Sequence, residues 1–203
     1  AGSIFKQIQG FGSYGFPESH AASFARLVYV SGWLKKHYPA VFAACLINSQ
    51  PMGFYSPRSI VADVQRHGVK VLPVCVQHSD WECTIEQLDG VDALRLGFCM
   101  LRGFGKRVGS HIAMVRPTKG FTGIVDLAHK TGLNRKDLLI LAKGNAFAYF
   151  GVNRRHGAWV VQGLKTHLPL FATQPRDDVL PKLPDESPLE TLQSDYRIQG
   201  LSV

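Results

Sequence analysis

Gly103-Phe104-Gly105, followed by Lys106 and Arg107, is the stretch of this chain best suited to hold a phosphate. Two glycines let the backbone turn tightly and come close to an anion, with N–H groups aimed outward at the start of the next helix. Lys106 and Arg107 add positive charge that grips a nucleic-acid backbone without reading its sequence. Phe104, between the glycines, is placed to pack the turn onto its neighbours. The competing reading is a plain glycine turn joining two elements. A degenerate second copy lies at Thr131 to Leu133, with Asn134, Arg135 and Lys136 after it. Ser19 and His20 stand at a helix start, where a hydroxyl, an imidazole and open backbone N–H groups can bond phosphate oxygens. The same histidine serves equally well as a cap or a packed polar side chain. Metal chemistry has little to work with. Cys45, Cys75, Cys83 and Cys99 form no Cys-x-x-Cys pair and match no His spacing for zinc, so they read as reduced thiols. His67, His78 and Asp80 read as ordinary solvated side chains.

The elements carrying these residues belong to a chain of 203 residues, 45% hydrophobic and 19% charged. That composition suits a folded chain long enough for one large domain or two small ones. A net charge of +8 favours a polyanionic partner. The charge is uneven: residues 1–164 hold 19 Lys and Arg against 9 Asp and Glu, and residues 165–203 hold 4 against 6. A nucleic acid therefore belongs on the body rather than the tail. No apolar run is long enough to span a bilayer and no signal peptide is visible, so the expectation is a cytoplasmic protein away from membranes. The lack of an initiator Met suggests a fragment.

Spacing predicts a helix from Ser19 to Tyr38, closed by Lys35, Lys36 and His37 at its negative end. Those three cations are either a DNA-touching patch or a solvated helix end. Pro39 to Asn48 reads as an apolar core helix, and Ser56 to His67 as a third helix with Ser56 as cap, Pro57 in first position and Gly68 as stop. Trp33, Phe42 and Phe54 read as core. Val69 to Val76 and Ala93 to Cys99 are β-like, with a loop or hairpin between them. Short helices follow at Val108 to Val115, Ile124 to Thr131, Arg135 to Lys143 and Asn153 to Gly163, punctuated by Gly and Pro. With an apolar turn before it and a helix after it, the Gly103–Arg107 stretch matches the hairpin of a helix-hairpin-helix element. Gly109 stands where that pattern prefers Ala. Five prolines from Pro169 to Pro188 argue against regular structure, so residues 165–203 read as a linker. The expected architecture is mainly α with a small β element.

Gly12 to Phe24, reading GSYGFPESHAASF, together with NSQPMGFYSP ending at Pro57 and HSDWEC at 78–83, resembles the C-family bacterial DNA polymerases. The likeness is to the error-prone relatives of the replicative polymerase III alpha subunit. Glu18 stands where the replicative branch has Lys, which fits the error-prone pattern. Cys75 and Gln77 depart from it, standing where Asp and Asn are expected. The resemblance implies that residues 1–99 are the C-terminal part of the fingers, 100–164 a helix-hairpin-helix DNA-binding region and 165–203 a Pro-rich linker. It places Ser19 and His20 beside an incoming deoxynucleoside triphosphate, and Gly103, Gly105, Lys106, Arg107, Arg135 and Lys136 on duplex DNA. The parent's activity would be translesion synthesis using Mg²⁺ held by palm carboxylates. The close aspartates here, Asp177-Asp178 and Asp89 with Asp92, lack that strand context. The fragment is therefore expected to bind no metal, to hold no catalytic residue and to be inactive alone. His167-Leu168-Pro169-Leu170-Phe171 is shaped like a sliding-clamp-binding peptide, with Leu168, Leu170 and Phe171 entering a groove or, alternatively, packing back on the helices. A stand-alone, non-catalytic DNA-binding module or a polymerase remnant is the rival to the polymerase reading.

Overall fold

A computed structural model describes residues 6, 17–164 and 183–203. Helix α1, Pro17–His37, ends in Lys35, Lys36 and His37, where cations complement the exposed carbonyls. Pro39 then opens α2, Pro39–Asn48, which buries Ala40, Ala43, Ala44 and Ile47. Helix α3, Pro57–Arg66, is capped by the Ser56 side chain, which accepts from the Ser59 N–H, and buries Ile60, Val61 and Val64. Lys35 reaches across from α1 to Asp63 on α3 at 2.8 Å. That ion pair holds the Asp63 carboxyl below its usual range and ties up one of the two lysines at the end of α1.

A three-stranded sheet, ordered β1-β3-β2, lies against α2. Strand β1, Val71–Leu72, runs parallel to β3, Val91–Arg95, with Val71 opposite Leu94. Strand β2, Thr84–Leu88, is antiparallel to β3 and joins it through Asp89 and Gly90, both at positive φ. The β-like stretch expected over 69–76 is thus cut to two residues. Pro73 cannot donate to a ladder. Past it, the Cys75 N–H goes to Ser79 Oγ and the Val76 N–H to the Ala146 carbonyl. Arg95 closes the sheet from the inside, grasping both oxygens of Glu86 at 2.7 and 2.8 Å and the Pro73 carbonyl at 2.8 Å.

Helices α4 Lys106–Val115, α5 Ile124–Thr131, α6 Arg135–Lys143 and α7 Arg154–Gly163 follow, starting within two residues of the sequence-based boundaries. Helices α6 and α7 pack tightly because Gly157 has no side chain. A Cβ there would stand 3.1 Å from the Phe147 ring and 3.5 Å from Ala142 Cβ.

Two expectations need correction. Residues 188–198 of the expected linker form helix α8, Pro188–Ile198, with Pro188 in the first turn and a capping box between Ser187 and Glu190. Proline there starts a helix instead of preventing one. Trp33 and Phe54 are exposed at 46% and 97%, not core. The main partner of α1 is α2, and the α1 face bearing Phe24, Leu27, Val28 and Trp33 stays open among the described residues.

Candidate nucleic-acid interface

The first hairpin begins where a 3₁₀ turn, Phe98–Met100, leaves the sheet. Phe104 donates its N–H to the Leu101 carbonyl at 3.1 Å, closing a turn in which Gly103 sits at φ +77°. That conformation favours glycine. Gly105 differs: its φ of −89° and ψ of 142° are open to any residue, and a Cβ there would meet only a Val108 methyl at 3.9 Å. The missing side chain at Gly105 serves no packing need, and it clears the approach to the start of α4. Gly105 is also the N-cap of α4 and contributes no side-chain cap, so the first turn presents its N–H groups outward beside exposed Lys106 and Arg107. Phe104 is buried, its ring 5.7 Å from that of Phe98, and fastens the turn to the core. The preference for Gly over Ala at 109 has a direct cause. A Cβ there would lie 2.8 Å from the Trp81 ring and 3.2 Å from Phe98 Cβ.

The second hairpin is built on the same plan with its anion site closed. Gly132 ends α5 in the left-handed conformation at φ 61°. At the start of α6, however, the Asn134 side chain accepts from the Asp137 N–H at 2.9 Å and donates to the Asp137 carboxyl at 2.8 Å. Arg135 donates to the Leu164 carbonyl at 2.8 Å. Lys136 is exposed beside it. The cap and the nearby carboxylate oppose an anion here, so the first hairpin is the stronger electrostatic site.

The two hairpins are joined by His111 of α4, whose ring bonds the Thr131 carbonyl at 3.0 Å. Sequence reasoning missed the clamps that fix this frame to the sheet. Asn48 pairs with Cys83 like a strand edge, donating to its carbonyl at 2.9 Å and accepting its N–H at 2.8 Å. Gln77 does the same to Phe121, donating to its carbonyl and accepting its N–H. Arg116 donates to the carbonyls of Val76 and Ser79. The departure at Gln77 was visible in the sequence, but its partner lies 44 residues on and no local pattern marks it.

A cleft of about 390 Å³ opens beside the first hairpin, lined by Ile47 and Asn48 of α2, Pro57 of α3, Trp81, Cys99 and Lys106 among others. His20 is exposed in α1, its ring 6.4 Å from Phe24, and Ser19 precedes it on the same helix. The cleft is lined by Lys106 and not by His20. Leu168, Leu170 and Phe171 lie outside the described residues, as do Asp177 and Asp178. Among the described residues no cluster of three or more His, Cys, Asp or Glu could hold a metal. Asp92 instead bonds Gln87 on the neighbouring strand. No described helix is long and apolar enough to cross a membrane.

A family model described as "Helix-hairpin-helix motif" matches residues 68–157, the class that the fold and its two hairpins define. The comparison with whole proteins is more specific. The error-prone DNA polymerases of Alkalilimnicola ehrlichii and Dechloromonas aromatica are 45% and 47% identical over 201 residues, each match covering 98% of this chain. That of Pseudomonas paraeruginosa is 45% identical across all of it. The chain corresponds to one segment of the error-prone DNA polymerases. It spans about a fifth of the length of the curated relatives it matches.

Proposed function

We propose that this chain is the part of an error-prone DNA polymerase that grips duplex DNA, working in the cytoplasm during damage-induced translesion synthesis. The carrying observation is the first hairpin: an uncapped α4 N-terminus behind Gly103 and Gly105, flanked by exposed Lys106 and Arg107. Such a site binds backbone phosphate and leaves base sequence unread, as a polymerase requires of the duplex it has made. Arg135 and Lys136 add a weaker second contact. Ser19 and His20 bind the triphosphate of the incoming nucleotide, and Leu168, Leu170 and Phe171 dock a sliding clamp. Mg²⁺ and the carboxylates that hold it belong to the rest of the polymerase, so the chain alone extends no primer. A stand-alone, non-catalytic DNA-binding module or polymerase remnant is the second reading, favoured by the helix-hairpin-helix match over residues 68–157.

Duplex binding between about 50 and 200 mM salt tests the main reading. Lys106→Ala with Arg107→Ala should lower the slope of log affinity against log salt by about two. Gly105→Val should weaken binding while leaving the fold intact, because the added side chain has room in the protein and none for a phosphate. Unchanged affinity in both variants would remove the first hairpin from the DNA interface.

A further inference from the structure

We infer that Cys83 and Cys99 form an oxidisable thiol pair, a modification site on the cleft beside the first hairpin that a hydroperoxide converts to a disulfide. The two are sixteen positions apart in sequence and match no redox spacing. The fold brings them together. Strand β2 leaves from Cys83, β3 returns, and Gly97 then passes so close to the outgoing chain that a Cβ on it would stand 2.4 Å from the Glu82 carbonyl carbon. That approach lets the Cys99 N–H donate to the Trp81 carbonyl at 2.9 Å and the Gly97 N–H to Cys83 Sγ at 3.4 Å. The passage at Gly97 sets the two thiols near enough that each perturbs the other's ionisation.

The members of the pair differ in access and in charge. Cys83 is 3% exposed, whereas Cys99 is half-buried and lines the cleft. Donation from Cys83 draws the Cys99 thiol below its usual range, while Cys99 and burial push Cys83 up. Cys99 is therefore the attacking sulfur and Cys83 the resolving one. The Cys99 thiolate attacks a peroxide oxygen, the O–O bond breaks, and the departing hydroxide takes up a proton to leave as water. Cys99 becomes a sulfenic acid. The Cys83 sulfur then attacks the Cys99 sulfur, its proton leaves with the sulfenic hydroxyl as a second water, and the S–S bond forms. The pair loses two electrons and one hydrogen peroxide is reduced to two waters. A thiol reductant restores the pair by exchange. Cys45, exposed on α2, and Cys75, buried near Ser79, have no such thiol partner assigned.

The test treats the full chain, in a Cys45→Ser/Cys75→Ser background, with dilute hydrogen peroxide and maps thiols by peptide mass spectrometry. The expected result is loss of two hydrogens, a linked peptide pair joining Cys83 to Cys99, and reversal by dithiothreitol. Cys99→Ser should leave Cys83 reduced under the same treatment. The four-cysteine chain, mapped in parallel, keeps the assignment independent of whether a variant folds. Over-oxidation of Cys99 without a link to Cys83, or links that involve Cys45 in its place, would overturn the inference. So would a native chain that forms the link no faster than the urea-unfolded one. None of these readouts depends on DNA binding.

Discussion

Arg154 ties α7 to Lys143, Glu186 and α8, so its loss should disturb this fold strongly. Its guanidinium, 8% exposed, donates to the Lys143 carbonyl at 2.9 Å, to Glu186 at 2.9 Å and to Asp195. Asp195 in turn accepts from Ser202 at 2.6 Å. The two carboxylates are only 16% and 12% exposed, so they depend on this one cation. Arg154→Met keeps much of the volume and removes the charge, leaving two carboxylates together without their cation. Removing one member of a buried ion pair costs about 3–5 kcal/mol. For a chain of this size that is a fall in melting temperature of roughly 6–20 °C, at about 2–4 °C per kcal/mol. Thermal melts by circular dichroism read it directly. Adding Glu186→Gln and Asp195→Asn to Arg154→Met should recover much of the loss, because the stranded charges are then gone. Lys130→Met, which breaks the more exposed pair with Asp126 at 2.8 Å, should cost no more than about 1 kcal/mol. A melt of Arg154→Met within about 2 °C of the parent chain, well short of the buried-pair expectation, would refute the argument that this arginine holds α8 in place.

Two further outcomes follow from the same geometry. Gly109→Ala should destabilise the chain by about 1–3 kcal/mol, because its Cβ would stand 2.8 Å from the Trp81 ring. A urea midpoint equal to that of the parent would show that Trp81 can move aside. Acid titration of stability isolates Glu86, whose carboxyl Arg95 holds below its usual range. A carboxylate lowered in the folded state stabilises above its unfolded pKa, and that contribution fades as pH falls through the folded value. Glu86→Gln should therefore flatten the decline of stability on the acid side of about pH 4.3, the ordinary glutamate value, and identical acid profiles would contradict this.

Much of the architecture was legible because local rules decide it. Pro39, Pro57 and the caps Ser56, Asn134 and Asn153 mark helix starts whatever the rest of the chain does. The first hairpin was legible for the same reason, since a glycine at positive φ beside two cations is a local statement. What stayed hidden depends on distant partners. Pro188 reads as a breaker until the Ser187–Glu190 box is recognised as the start of a helix whose carboxylates answer Arg154 and Arg155. Trp33 looks like core because it is apolar at helical spacing, but spacing gives a face and not its cover. Asn48 and Gln77 carry no signature, because a side-chain amide that completes a strand edge resembles any surface amide until its partner is found. The Cys83–Cys99 contact is of this kind too, made by the close passage at Gly97.

Helix α8 also bears on the order in which the chain can acquire its shape. The Arg102 N–H, next to the Gly103 turn, donates to the Ile198 carbonyl at 2.9 Å, and Arg58 of α3 lies over the Tyr196 ring at 4.9 Å. Arg102 and Arg197 are 95 residues apart, so at about 5–20 residues per second a ribosome needs roughly 5–20 s to make the second after the first. Throughout that interval the hairpin exists without its brace, and Lys143 without the ion-pair cluster that closes over its carbonyl. Helix α8, made after the elements it fastens, is thus their latch, and a pause or a nick between them would leave those elements unlatched.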